Sequence, residues 1–125
     1  MKMIVFFRRR AGLSPEQFRD YYENHHAPLA VRLFPYMRDY RRNYMRRDLR
    51  HQRTGGEAVG TDFDFDVITE ISFACAQDYQ RMKDDMANPD IRRQVVEDEL
   101  RFLDRAATVV LLVDEQGGPL DRPRL

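Results

Sequence analysis

"YMRDYRRNYMRRD", residues 36–48, decides the fold, because it admits two readings with opposite consequences. Tyr36, Tyr40 and Tyr44 recur at every fourth residue, which is the spacing of a helical stripe. The intervening arginines, aspartate and asparagine leave such a helix little to bury, whereas an aromatic and polar mixture suits a strand. As a strand it carries Tyr40, Tyr44, Arg38 and Arg42 on one face.

Working outward, "KMIVFFRR" (2–9) is a strand with apolar residues on both faces, and "AGLS" (11–14) is the turn after it. "SPEQ" (14–17) opens a helix: Ser14 caps it, Pro15 fits its first position, and Gln17 reaches back to the Ser14 amide. Phe18, Tyr22, Leu29 and Leu33 give that helix its apolar stripe. Beyond the tyrosine segment, residues 49–64 are polar and turn-rich, a surface connection. "FDVITEISF" (65–73) is a third strand, and "AQDYQRMKDDM" (76–86) and "NPDIRRQVVEDELRFLDR" (88–105) are helical pieces divided at Asn88-Pro89, with Asn88 as a cap. "ATVVLLV" (107–113) is a fourth strand, apolar throughout.

The order β-α-β-β-α-β predicts an α+β, ferredoxin-like sandwich: one antiparallel sheet with helices on one face. Residues 1–114 form this single domain, and 115–125 form a polar tail, loose or draped on a neighbour. Strands one and four are apolar on both faces, yet the chain's helices cover only one. A second copy is the expected cover. Two sheets packed face to face give a homodimer, a dimeric α/β barrel, with a closed apolar cavity expected inside.

Lys+Arg and Asp+Glu are 21 each, so the chain has no net field to attract nucleic acid or an anionic membrane. The opening apolar run "MIVFF" is too short for a signal peptide, and nothing reaches the roughly 18 apolar residues of a membrane span. The single cysteine, Cys75, excludes an internal disulfide and is read as a small core residue. A cytoplasmic protein acting on a small hydrophobic compound is the expectation. An RNA-recognition module shares the element order, and "RDYRRNYMRRDLR" interleaves aromatics with cations, but the acidic third strand argues against it.

The chain concentrates chemistry at His25 and His26. Adjacent helical residues point about 100° apart, so the two do not chelate one metal. Pro28 lacks an amide and disfavours helical angles at Ala27, so the helix is expected to end or kink there, with His26 close to its end and in line with Phe18 and Tyr22. An imidazole so placed beside a cavity is a general acid or base; the plainer alternative is a histidine bonding the carbonyls of a kinked helix. If Val67, Thr69, Ile71 and Phe73 face the helices, Glu70 points into the barrel and is a candidate acid/base partner for His26, or else forms an ion pair with an arginine of the second strand. Asp66 lies on the same face, nearer the strand start. Tyr40 beside Arg42 is placed to donate to a developing enolate, or to pack an interface.

"GLSPEQFRDYYENHHAPLA", "RDYRRNY", "FDVITEISF" and "RFLDR" together resemble the EthD-type family of dimeric α/β-barrel proteins. The matching positions are His26, Pro28, Leu29, Tyr40, Asn43, Asp66, Glu70, Phe102 and Asp104, within residues 2–114. His25, the arginine-rich second strand and the Gly-containing loop after it depart from the pattern. The resemblance implies a dimer with a small-molecule pocket, in the breakdown of ethers and aromatics or in polyketide tailoring. Similar barrels include isomerases, cofactor-free oxygenases and dehydratases, and more distant ones carry haem. On this basis His26, Glu70 and Tyr40 are the expected catalytic residues, and Tyr22, His25, Arg42, Asn43, Asp66 and Phe102 the expected substrate contacts. No metal or organic cofactor is expected. A non-catalytic binding protein of a degradation operon, or a haem-binding barrel, is the alternative.

Overall fold

The computed structural model describes residues 1–49, 51–56 and 63–121. Much of the expected 49–64 connection and the last residues of the tail, 122–125, therefore lie outside the described residues. The tyrosine segment is a strand. The elements run β1 (Lys2–Phe7), α1 (Pro15–Tyr21), a wide helical turn (Tyr22–His26), α2 (Ala27–Leu33), β2 (Met37–Tyr44), β3 (Val67–Phe73), α3 (Ala76–Ala87), α4 (Pro89–Phe102), a short 3-10 turn (Arg105–Ala107) and β4 (Val109–Val113). The strands form one sheet in the order β2-β3-β1-β4 with every neighbouring pair antiparallel, the ferredoxin-like arrangement.

Local chemistry accounts for the element boundaries. Gly12 turns the chain after β1 at φ +92°. The Ser14 hydroxyl accepts from the Gln17 amide at 3.1 Å, and the Gln17 side-chain oxygen accepts from the Ser14 amide at 2.9 Å. The Asn88 side-chain oxygen accepts from the amides of Asp90 and Ile91, starting α4 where α3 stops. Cys75 precedes α3 and is exposed rather than buried in the core, because its position is the extended residue leading into the helix.

The first helix differs most from expectation. It neither ends nor breaks at Pro28; it widens into a turn in which the Ala27 amide donates to the Tyr22 carbonyl, five residues back, and then continues as α2. The widening keeps one face towards the sheet. On an α-helix every fourth residue drifts about 40° around the axis, so a long i, i+4 row leaves the core. The wide turn winds the row back, and Phe18, Tyr22, His26 and Phe34 are all buried. Leu29, expected in the stripe, is only half-buried and belongs to neither core cluster.

Strand alternation divides the sheet into two unlike faces. Val67, Thr69, Ile71 and Phe73 of β3 and Val5 and Phe7 of β1 are buried under the helices. The core there has two clusters, one around Phe7, Phe18, Tyr22 and Phe102, the other around Phe34, Ile71, Phe73 and Met82. On the opposite face the register aligns Ile4 with Leu111 and Glu70, and Phe6 with Val109 and Ile68. Among the described residues no helix lies over that side, and Val109 and Leu111 are exposed there. Among the described residues, no helix is long and apolar enough to cross a membrane.

Candidate active site

The wide turn delivers His26 to the interior, where its side chain is 8% exposed. Its Nδ1 lies 2.8 Å from Asp98 Oδ2 on α4, and the Tyr21 hydroxyl donates to Asp98 Oδ1 at 2.6 Å. Both carboxylate oxygens are thus engaged, which fixes Asp98 and, through it, the imidazole. A carboxylate accepts, so Nδ1 carries the proton and Nε2 is the nitrogen free to exchange one. Phe102, at 4.9 Å between ring centroids, and Tyr22, at 5.4 Å, hold the ring from two sides.

His26 lines a cleft of about 300 Å³ between the sheet and the helices, and the two core clusters flank it. One end of the cleft holds His26, Tyr22, Tyr40, Thr69 and Glu99; the other is rich in methionine, with Met37, Met82 and Met86, and also takes in Lys83 beside Tyr79. Tyr40 donates to the Tyr22 hydroxyl at 3.1 Å, and Tyr22 shares a 2.8 Å hydrogen bond with Thr69. Burial pushes the Tyr22 phenol up to about 12 and raises Tyr40 further, so both stay neutral hydroxyls near neutral pH. Glu99, 14% exposed, faces the same space with Arg105 Nε 3.3 Å from its carboxylate. Burial raises its carboxyl above the ordinary range, against the opposing charges of His26 and Arg105.

The EthD domain signature matches residues 10–106 of the chain. The chain belongs to the EthD family. An EthD family protein from Bacillus halodurans superimposes on this EthD chain with a TM-score of 0.58 at 20% identity, covering 92% of this chain and 97% of its own. A dimeric ferredoxin-like protein from Thermobifida fusca gives 0.51 at 12% identity, with 88% and 85% covered. A hydroxynitrile lyase from Passiflora edulis gives 0.52 at 18% identity, with 94% and 95% covered. No curated protein matches the sequence.

Of the residues expected at the EthD site, His26, Tyr22 and Tyr40 share the cleft, and Phe102 stands behind His26, fully buried. The others lie elsewhere. Glu70 is on the opposite sheet face, because the β3 residues on either side of it point at the helices; it pairs with Lys2 at 2.9 Å and accepts from Asn43 at 3.0 Å. These hydrogen bonds hold its carboxyl below the usual range, and it does not share a cavity with His26. Asn43 lies on that same face, donating also to the Ile68 carbonyl. Asp66 clamps Arg9, accepting from its amide at 2.8 Å and its guanidinium at 2.6 Å, away from the cleft. Arg42 faces the helices but is committed to both oxygens of Glu23. A bulge at Arg38 takes that residue out of the register. His25 is exposed and stacks on Tyr21 at 4.7 Å.

The cleft that holds His26 lies between the sheet and the helices of one chain. Asp98 and Glu99 were missed, yet "VVEDELRF" carries a signal for them. Val95 and Phe102, seven apart, mark the buried stripe of α4, and positions three and four beyond Val95 should then be apolar. They are the two carboxylates.

Proposed function

We propose that this protein is a homodimeric enzyme that uses His26 as a general base on a small aromatic or carbonyl compound, without an organic cofactor. One observation carries the reading: a buried imidazole whose Nδ1 is held by Asp98 lines an apolar cleft of ligand size. A histidine kept only to satisfy helix carbonyls needs neither a fixed carboxylate nor an adjacent cleft. The methionine-rich end takes the flat apolar body of the ligand, and the end with His26, Tyr22 and Tyr40 takes its polar group. Loss of a proton beside a carbonyl leaves an enolate, which leads to elimination, isomerisation or decarboxylation.

The unpartnered face supports the dimer. Ile4, Phe6, Ile68, Val109 and Leu111 form its apolar centre, with Phe63 and Phe65 against Phe6 and with Lys2, Glu70, Asn43 and Arg41 as a polar surround. That is the composition of an interface with a greasy centre and charged rim.

The test is deuterium uptake at carbon 2 of 1-indanone in D2O, followed by proton NMR. The wild type is expected to exceed His26→Ala by about 10²-fold or more. Equal rates would give His26 a purely structural role, and a Soret band in purified protein would replace this reading with haem binding.

A further inference from the structure

α4 carries two consecutive carboxyl groups near the histidine: Asp98 bonds it, and Glu99 lines the same cleft. Asp98 has no oxygen to spare, since Oδ1 accepts from Tyr21 and Oδ2 bonds His26. Glu99 faces the cleft that His26 lines, and its contact with Arg105 is a single 3.3 Å approach to a side chain that is itself 43% exposed. Of the cleft's other donors, the tyrosine hydroxyls are engaged with one another, and the Lys83 ammonium lies over the Tyr79 ring, 5.7 Å from its centroid. Tyr40 spends its hydroxyl hydrogen on Tyr22, and Tyr22 is bonded to Thr69.

The geometry points to Glu99 as the acid that works opposite His26, giving a proton to the substrate oxygen while the imidazole takes one from carbon; the substrate class is an enolisable aryl ketone or related carbonyl compound. This rests on the reading of His26 as a base. The step balances without another reactant. Nε2 of His26 accepts the proton on the carbon beside the carbonyl, and that C–H electron pair becomes the C=C bond. The C=O π pair takes the Glu99 proton, leaving an enol, an imidazolium and a carboxylate. In reverse, the imidazolium, after exchanging its proton with solvent, returns a deuteron to carbon, and Glu99 recovers its own. Burial favours the protonated carboxyl that this role requires, while His26 and Arg105 oppose it and Asp98 assists it.

The experiment uses 1-indanone labelled with 13C at the carbonyl, bound to the full chain. The bound C=O infrared stretch reports a hydrogen bond to the ketone oxygen, and deuterium uptake at carbon 2 reports proton transfer. Wild type and His26→Ala are expected to show a lowered stretch, and Glu99→Leu the stretch of an unbonded ketone. Uptake is expected to fall about 10²-fold in both His26→Ala and Glu99→Leu. Glu99→Gln, which donates a hydrogen bond but transfers no proton, is expected to keep part of the shift and lose the uptake; it carries the test if the leucine variant does not fold. A wild-type spectrum without the shift, or Glu99 variants with wild-type uptake, would overturn the proposal. The two readings separate cleanly. Loss of uptake in His26→Ala alone removes Glu99 and keeps the base; loss in Glu99→Leu alone does the reverse.

Discussion

At the residue scale, three carboxylates near the site are distinguished by what they touch. Asp98 is a positioning group, so Asp98→Asn is expected to lower indanone exchange by roughly 10-fold or more and to alter the imidazole 15N spectrum as Nδ1 loses its acceptor. Glu99 is largely withdrawn from water, and burial raises its carboxyl. Its raised folded value means that stability is lost as the pH climbs above the unfolded value, so Glu99→Gln is expected to raise the melting temperature at pH 7 while lowering exchange. Glu23 has the opposite sign: its hydrogen bonds to Arg42 depress its value, and the stability it supplies is present above the unfolded value and lost as the pH falls through the folded one. Glu23→Gln should therefore flatten the acid side of a stability profile measured by urea unfolding between pH 7 and pH 3. Glu70, behind the sheet, can be changed to Ala with indanone exchange intact.

Elements place these groups through local rules that are mostly readable from sequence. The caps at Ser14 and Asn88 involve residues three positions apart or fewer, so spacing alone reveals them. Asn88→Ala leaves two amides at the start of α4 without an acceptor and is expected to cost about 1 kcal/mol, a few degrees of melting temperature by calorimetry. The wide turn at Tyr22–His26 was not legible. Pro28 signalled a disturbance, but whether a helix breaks or widens there depends on what its next turn can bury. Here Ala27 and Phe34 offer burial against the rest of the fold, and continuing the helix wins. The result shapes the cleft, because it turns His26 inward and Leu29 partly out.

For the whole molecule, the two sheet faces pose separate problems. One is covered by helices and contains the cleft; the other is apolar at its centre and uncovered by the chain's own helices. β4 is also an edge strand, with Val110 52% exposed even on the helix side, so it buries little against its own chain. Leu111→Lys is expected to yield a monomer in light scattering with the helical circular dichroism signal retained. A dimer that survives the lysine would place the interface elsewhere.

Alternation along β3, the continuous apolar runs of β1 and β4, the turn signals and the caps were enough to determine the element order, the antiparallel ferredoxin-like sheet and the excess of apolar surface, since each depends on residues adjacent in sequence. Which side of the sheet holds the chemistry was decided only by tertiary structure. Alternation and the helix stripe each predict an inward direction for Glu70 and His26, but a sheet has two faces that can be covered, and strand parity alone does not say which one a helix will choose. Asp98 meets His26 across 72 positions of chain, a separation over which no local spacing carries information. Packing brought them together, and packing set aside the pairing with Glu70 that strand alternation suggests.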